Sequence, residues 1–512
     1  VSQLSRRAVL RGAVALGVLP FAGCAVARST NLVPADPFTL GVASGDPAPD
    51  GVVIWTRLAP DPLAEDGFGG MPARPVDVEW EVAADERFTR VEQRGVATAT
   101  PDAGHSVHVE LRGLRPGAEY FYRFRAAGYL SPTGRTLTAP PPDALATALT
   151  MCVASCSHYE QGWFTAYRRL AGEQPDLVVH LGDYQYEYEA RPGGVRRHAG
   201  PETVTLANYR QRYAQYKTDP DLQGAHAVAP WLAVYDDHEL DNNWADETPE
   251  KPQPEFLARR AAAMRAYYEN MPLRRFSQPR GVDMQLYRRI GWGALATFHL
   301  LDTRQYRTDQ PCRDEYRTDC AERFNPFATL TGAEQERWLL DGFQRSRARW
   351  DVLGQQVFLS QVELTPGPGL GVNPDAWDGY PANRDRIVAG LKGPAVRNAV
   401  VLTGDVHSHW AAEVHERPGD VSSPVVATEL VTTSISSGGD GSDSRADVDA
   451  VLPENPHIRY FNNRRGYVRA RVTADEMRVD FRVLPYVSRP GAPVRTGASF
   501  AVPDRAAALN RL

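Results

Sequence analysis

Between residues 38 and 137, apolar and polar positions alternate with a period of two. The clearest segments are Gly51-Val52-Val53-Ile54-Trp55-Thr56, Val76-Asp77-Val78-Glu79-Trp80-Glu81-Val82 and Glu119-Tyr120-Phe121-Tyr122-Arg123-Phe124, separated by Gly, Pro and Asp turns. Alternation places every second side chain on one face, so each segment predicts a strand with one buried side. Several short strands at such intervals predict a β-sandwich. Beyond residue 148 the pattern changes. Apolar runs at 149–154, 176–181, 231–235, 295–301, 352–359 and 399–402 alternate with helical periodicity at 163–173, 256–270 and 332–344. Strands covered on both faces read as continuous apolar runs, and their alternation with helices predicts an α/β sandwich. The last helix opens with Thr331-x-x-Glu334, the form of a capping box.

The string from Leu114 to Arg123, with Pro116-Gly117 at its turn, resembles the closing hairpin of a fibronectin type III domain, and 138–143, holding Ala139-Pro140-Pro141-Pro142, reads as a linker. The chain is therefore expected to be multidomain: a fibronectin III-like β-sandwich and linker over 28–143, then the α/β sandwich over 144–512. His105 and His108 have no acidic company in the β region and are expected on the surface of a strand. Ahead of both regions stands Ser5-Arg6-Arg7-Ala8-Val9-Leu10-Arg11, followed by a modest apolar run over 13–22 and small residues to Ala27. About ten apolar residues fall short of the ~20 that span a bilayer, and the plan is that of a signal peptide. The Arg6-Arg7 pair resembles a twin-arginine signal, which implies the twin-arginine export machinery as a partner and a periplasmic or extracellular destination. Cleavage after Ala27 makes 1–27 the leader; lipid attachment at Cys24, after Ala22-Gly23, is the alternative. No other run approaches transmembrane length.

Composition sharpens this picture in few places. The 512 residues carry a net charge of −6 without long blocks of one sign, which argues against nucleic acid as a dedicated partner. Five cysteines are too few, and odd in number, for a disulfide framework. Cys24 belongs to the leader and Cys152 lies in mid-strand. Cys312 and Cys320 share a polar loop, where an exported protein is expected to form a disulfide. Cys156 remains. No Gly-x-x-x-x-Gly-Lys-Ser/Thr string or nucleophile elbow supports an NTPase or a serine hydrolase.

In α/β folds ligands bind beyond the carboxyl ends of the strands, and four of the apolar runs end in donor-rich strings. These are Ser155-Cys156-Ser157-His158, Gly182-Asp183-Tyr184-Gln185-Tyr186-Glu187-Tyr188, Asp236-Asp237-His238-Glu239-Leu240-Asp241-Asn242-Asn243 and Gly404-Asp405-Val406-His407-Ser408-His409. Gathered at one edge, their like charges would repel unless cations neutralised them. A multi-metal centre is the economical reading.

With Asp302-Thr303-Arg304-Gln305-Tyr306-Arg307, these strings resemble the PhoD-type alkaline phosphatases, a branch of the calcineurin-like and purple acid phosphatase superfamily. The resemblance implies a metallophosphoesterase domain with Cys156, Asp183, Tyr186 and His407 holding Fe³⁺, where thiolate and phenolate favour the ferric state. It implies Ca²⁺ beside it, with Asp183 as the bridge and Asp237 and Asp405 replacing softer ligands by carboxylates. Asn242 and Asn243 are candidate oxygen ligands for a second Ca²⁺. The nucleophile is expected to be a hydroxide bridging the two cations. His238 is the candidate to hydrogen-bond the phosphate or protonate the leaving alkoxide, steadied by a neighbour such as Asp241, and Arg304 the candidate to bind phosphate oxygens. The expected substrates are phosphate monoesters, diesters or both; the alternative is a phosphodiesterase of the phospholipase D type. His409 is expected to line the phosphate pocket or face solvent, Asp375-Ala376-Trp377-Asp378-Gly379-Tyr380 to form a loop over the pocket, and 432–444 to be a flexible loop.

Overall fold

The computed structural model describes residue 33 and residues 35–512, so the arginine pair, the cleavage site and Cys24 lie outside the described residues. Two large sheets stack face to face. The first has ten strands, and at its centre Leu149–Ala154, Leu177–Leu181 and Pro230–Val234 run parallel. The second has seven strands, with Ala296–Leu300, Trp350–Gln355, Ala399–Thr403 and Val425–Val431 parallel. Val153, Val179, Phe298, Val352 and Leu402 belong to one continuous core between them. Thr165–Gly172, Leu206–Lys217, Pro220–Val228 and Phe256–Asn270 are the helices of the first sheet's outer side. Gly332–Gln344 and Pro381–Leu391 cover the second, burying Leu339, Phe343 and Ile387 against Leu353 and Val401. Both faces of the central strands are thus dry, which is why their sequences lack alternation.

The N-terminal region is a sandwich that shares a sheet with its neighbour. Val76–Ala83, Val91–Ala99 and Glu119–Ala126, with Tyr129–Leu130 and Gly134–Leu137, form a separate five-stranded sheet. The opposing layer, Val42–Ala48, Gly51–Arg57 and Ser106–Glu110, continues the ten-stranded sheet: Ser44 and Gly45 pair in parallel with Pro230 and Trp231. Between the layers lies a distinct core that includes Ile54, Val78, Val82, Tyr122 and Phe124. The junction is pinned by Trp55, whose indole N–H donates to the Glu269 carbonyl at 2.9 Å, and by the buried Arg57, which donates to Gly104 and Arg210 carbonyls.

That junction corrects the reading of two histidines. His105 is fully buried, and His108 stacks on Tyr268 at 4.6 Å with its Nε2 within 3.0 Å of the Tyr268 and Met271 carbonyls. The helix Phe256–Asn270 covers the strand face that local sequence suggested was open. Helix limits at 256–270 and 332–344 agree with the periodicity, but the expected capping box does not form. The Thr331 hydroxyl donates to Asn383 in a neighbouring helix instead. A reciprocal box does close the helix Leu206–Lys217, through Thr205 and Asn208. Cys312 and Cys320 are disulfide-bonded, while Cys152 and Cys156 are free and buried.

Candidate metal centre

Three parallel strands of the first sheet and Ala399–Thr403 of the second end at one edge, and each hands over to a tight turn. Cys156, Asp183, Asp405 and His407 all occupy the left-handed region there, with φ of 60°, 54°, 57° and 58°. Non-glycine residues visit that region rarely, and sparsely populated conformations cost on the order of 1–3 kcal/mol each. Gly182, at φ 101°, makes the approach possible: a Cβ there would stand 2.4 Å from the Asp236 Cβ. Glu239 ties the turns together, accepting from the backbone N–H of Asp183, Tyr184 and Asp236 at 3.0, 2.6 and 2.9 Å. Burial and the nearby Asp183 push its carboxyl up to about 8.

Donor atoms gather in three overlapping sets, each within 4.8 Å: Cys156 with Asp183 and His407; Asp183 with Asp237 and His238; and Asp183 with Asp236, Asp237 and Asp405. Asp183 belongs to all three. The Tyr186 hydroxyl joins the first set, donating to Asp183 Oδ2 at 2.8 Å and lying 3.0 Å from His407 Nε2. Its ring is held between His158 and His238, at centroid distances of 4.4 and 4.1 Å. One side of Asp183 therefore offers sulfur, phenol and imidazole, and the other offers carboxylates with the His238 imidazole beside them.

The electrostatics of the cluster call for positive charge. Burial and Asp183 push the Cys156 thiol and the Tyr186 phenol well above their ordinary ranges. Burial likewise raises Asp236 and Asp405, which also face neighbouring carboxylates. Asp237 is held below the usual range because Arg304 and His238 outweigh the effect of burial. Asp183 Oδ1, Asp236 Oδ2 and Asp237 Oδ1 are buried without a hydrogen-bond partner. An unsatisfied buried polar atom costs roughly 1–3 kcal/mol, more when charged, and a cation within reach of these oxygens removes that cost. The donor set fits metal ions.

Cys156, Asp183, Tyr186, Asp237, Asp405, His407 and His238 are thus brought together, and several other expectations need correction. Arg304 is fully buried beneath the carboxylates. Its Nε lies 2.5 Å from Asp236 and its other nitrogens lie 2.8, 3.6 and 3.9 Å from Asp375, Asp237 and Asp405, so it neutralises the cluster from behind and does not reach a substrate. The Asn242 amide nitrogen donates to Glu250 at 3.0 Å and that of Asn243 to Asp314, while the Asn243 backbone N–H donates to Asp237 Oδ2 at 2.9 Å. Asp241 pairs with Arg259; it is Glu187 that holds His238 Nδ1, at 2.9 Å.

The 375–380 segment is packed inside: Asp375 pairs with Arg304 and Arg307, and Trp377 is fully buried. His409 is also buried, its Nδ1 accepting from the Thr433 N–H at 3.1 Å. The first half of 432–444 is a buried wall, and Ser437 Oγ lies 2.7 Å from the Tyr186 hydroxyl and 3.0 Å from the Cys156 carbonyl, within reach of donating to either. Glu187, Glu239, Asp236 and Ser437 were given no role from the sequence. The first three sit inside the donor-rich strings, where the density of acidic residues was the available signal; Ser437 lies far from any of them.

Residues 151–481 match the family model for the PhoD-like phosphatase, and residues 23–140 match that for the PhoD-like phosphatase N-terminal domain. The chain is 50% identical over 471 residues to alkaline phosphatase D of Bacillus subtilis (strain 168), covering 91% of this chain and 80% of that protein. A solved structure of PhoD superposes with a TM-score of 0.91 at 49% identity, covering 94% of this chain and 92% of the other. Purple acid phosphatase PPD1 from yellow lupin seeds has a TM-score of 0.54 at 12% identity, over 92% of this chain and 75% of that one, a likeness of fold.

Proposed function

The chain belongs to the PhoD-like phosphatase family, and from that premise we propose that it is an exported, metal-dependent phosphatase that hydrolyses phosphate monoesters, diesters or both at an Fe³⁺/Ca²⁺ centre. The observation that carries the reading is the contrast between two donor sets that share Asp183: thiol and imidazole, with the Tyr186 phenol, in one, and four carboxylates in another. Thiolate and phenolate suit a ferric ion, and a carboxylate-only set suits calcium. In this reading Cys156, Tyr186 and His407 hold iron, Asp237 and Asp405 hold calcium, and Asp183 serves both. Bound there, the two cations would supply Lewis acidity, lowering the pKa of a water and offsetting charge on phosphate oxygens.

The chain's own residues then have separate tasks. Glu187 fixes the His238 ring through Nδ1, and with Asp237 it holds the imidazole well above its ordinary pKa although burial opposes this. Nε2 is left as the nitrogen able to give a proton to the leaving alkoxide. Ser437 and the flanking rings of His158 and His238 fix the Tyr186 phenol. Arg304 offsets the carboxylates from the buried side. The Arg6-Arg7 signal supports export.

Elemental analysis of protein purified without added metal tests the centre. Iron and calcium are expected, with a visible charge-transfer band that is lost in Tyr186→Phe and Cys156→Ala. A colourless zinc-only protein with full activity overturns the ferric assignment. Rates on p-nitrophenyl phosphate, bis-p-nitrophenyl phosphate and phosphatidylcholine separate monoesterase, diesterase and phospholipase readings.

A further inference from the structure

Arg465 stands immediately before the strand Gly466–Val472 of the first sheet, and its side chain is buried. Its Nη1 donates to Ser434 Oγ at 2.9 Å and to the Ser437 carbonyl, and its Nη2 donates to the Asn463 carbonyl and, at 3.0 Å, to Asn463 Oδ1. Nε is buried without a partner. All of these acceptors are neutral: among the described residues none of its hydrogen bonds goes to a carboxylate. The loop closes tightly on the guanidinium, since a Cβ at Gly438 would stand 2.6 Å from Nη1. A buried charge is costly unless an opposite charge answers it, so the negative charge that Arg465 serves has to be found elsewhere.

The segment that Arg465 holds is the wall behind the sulfur and phenol donors. Ser434 pairs with Ser155 in a parallel bridge, and the Ile435 N–H donates to the Ser155 carbonyl at 3.0 Å. Ser437 therefore has the guanidinium on its carbonyl and, 2.7 Å from its hydroxyl, the phenol of Tyr186. Burial brings Arg465 down to about 10, and Cys156 and Tyr186 are foremost among the groups that pull it back up. Asp440 adds less, its carboxylate being taken by the Val487 and Ser488 N–H groups, and Arg445 opposes.

We propose that Arg465 is a positioning residue of the first donor set, whose charge stabilises the negative charge on Cys156 Sγ and the Tyr186 phenol oxygen and so tempers their donation to the metal. The proposal rests on the ferric reading above and adds to it the group that tunes the ferric site. Coulomb attraction falls only inversely with distance, and dry surroundings screen it weakly, so a guanidinium one residue behind the ligands still acts on them. The signs follow. A positive charge nearer the ligands than the metal holds electrons on sulfur and oxygen, so moving one of them to the ferric ion takes more energy. The same charge favours the state with the extra electron, so reduction of the ferric ion becomes easier.

The test compares Arg465→Gln, which deletes the charge and keeps an amide donor, with Arg465→Lys, which keeps the charge and loses the fork. The visible band and the one-electron reduction potential of the iron-loaded proteins are measured, the latter by dye-mediated titration. In Arg465→Gln the band is expected to move to longer wavelength and the ferric state to gain about tenfold over the ferrous, a fall of ~59 mV. Arg465→Lys is expected to return both toward wild type. An unmoved band and potential in Arg465→Gln, a shift of opposite sign, or an Arg465→Lys protein as displaced as Arg465→Gln each overturn the proposal, the last by showing that only the shape of the fork matters. If circular dichroism shows that Arg465→Gln is unfolded, Asn463→Asp decides. It is isosteric and sets a carboxylate oxygen at the 3.0 Å contact with Nη2, so it is expected to move band and potential the same way, and no movement overturns the proposal. A wild-type protein without iron, or with iron and no such band, instead overturns the ferric reading.

Discussion

Replacing Arg304 with methionine keeps most of the side-chain volume and deletes its charge, which makes it a direct probe of how the acidic cluster is tolerated. The four carboxylates around the guanidinium do not lose equally. Asp375 keeps Arg307 at 2.9 Å, and Asp237 keeps the Asn243 N–H at 2.9 Å. Asp236 loses its 2.5 Å partner and already has an unsatisfied Oδ2, while Asp405 loses the charge 3.9 Å away. Removing one member of a buried pair typically costs ~3–5 kcal/mol, a large share of the ~5–15 kcal/mol that stabilises a folded protein. Protonation can relieve part of this, because burial already holds Asp236 and Asp405 well above the ordinary carboxylate range.

The sign follows from linkage. A group whose pKa is raised by folding contributes its stability at low pH and loses it as pH climbs from the ordinary value through the raised one. Deleting Arg304 raises these groups further, so the deficit of the variant grows with pH. Urea unfolding followed by circular dichroism, at pH 5 and pH 8, in chelator and in saturating Ca²⁺, measures it. The expected result is a deficit of about 3–5 kcal/mol at pH 8 in chelator, smaller at pH 5, and smaller with Ca²⁺, which would supply the missing charge. A variant as stable as wild type at pH 8 in chelator, or a deficit that shrinks as pH rises, refutes the reasoning.

Glu187→Gln keeps the shape but removes the charge behind His238, so kcat is expected to fall by ~10²-fold with little change in KM; a change in KM alone would show that Glu187 acts elsewhere. Lys217 is buried, with Nζ 3.4 Å from His226 and 4.3 Å from the Trp55 ring, and burial holds its amine well below 10.5. The unfolded chain therefore binds a proton that the folded one does not, and stability rises with pH up to that value. Lys217→Met is expected to remove this gain, so that its stability rises less steeply than that of the wild type as pH climbs toward 10.5, and equal slopes would contradict it. The double substitution Cys312→Ser/Cys320→Ser opens a loop closed over a separation of 8 residues. By loop entropy it should cost about 2–3 kcal/mol, read as faster proteolysis within 312–320; unchanged cleavage would mean that the loop is held by other contacts.

What could be read from the sequence follows from how far apart the interacting residues are. The periodicity of 256–270 and 332–344 is a local property of each helix, and the sequence limits match the structure. Cys156, Asp183, Asp237, Asp405 and His407 were legible because each follows a strand, and parallel strands deliver their ends to one edge whatever their order. The misreadings all involve partners distant in the chain. Whether Arg304 faces a substrate or a carboxylate depends on Asp236 and Asp375, 68 and 71 residues away. Thr432–Ser437 has loop composition, yet it is buried because Ser434 pairs with Ser155 in a parallel bridge and Ser437 meets Tyr186. The left-handed turns left no mark, since Cys, Asp and His were the residues placed where glycine is ordinarily favoured.

That last conflict bears on how the centre is assembled. Four donors in unfavourable backbone geometry, three orphaned oxygens and several raised carboxyls make this edge costly for the chain alone. Neither sheet holds the full set: Cys156, Asp183 and Asp237 come from the first, and Asp405 and His407 from the second. The donor sets therefore close only after the two sheets have stacked and their shared core has formed. Ions binding the closed cluster stabilise the folded state in proportion to the logarithm of their concentration, so uptake and completion of the fold are one event. Export of an already folded protein, the route proposed from Arg6-Arg7, would allow the fold and the ion uptake to be completed together before export.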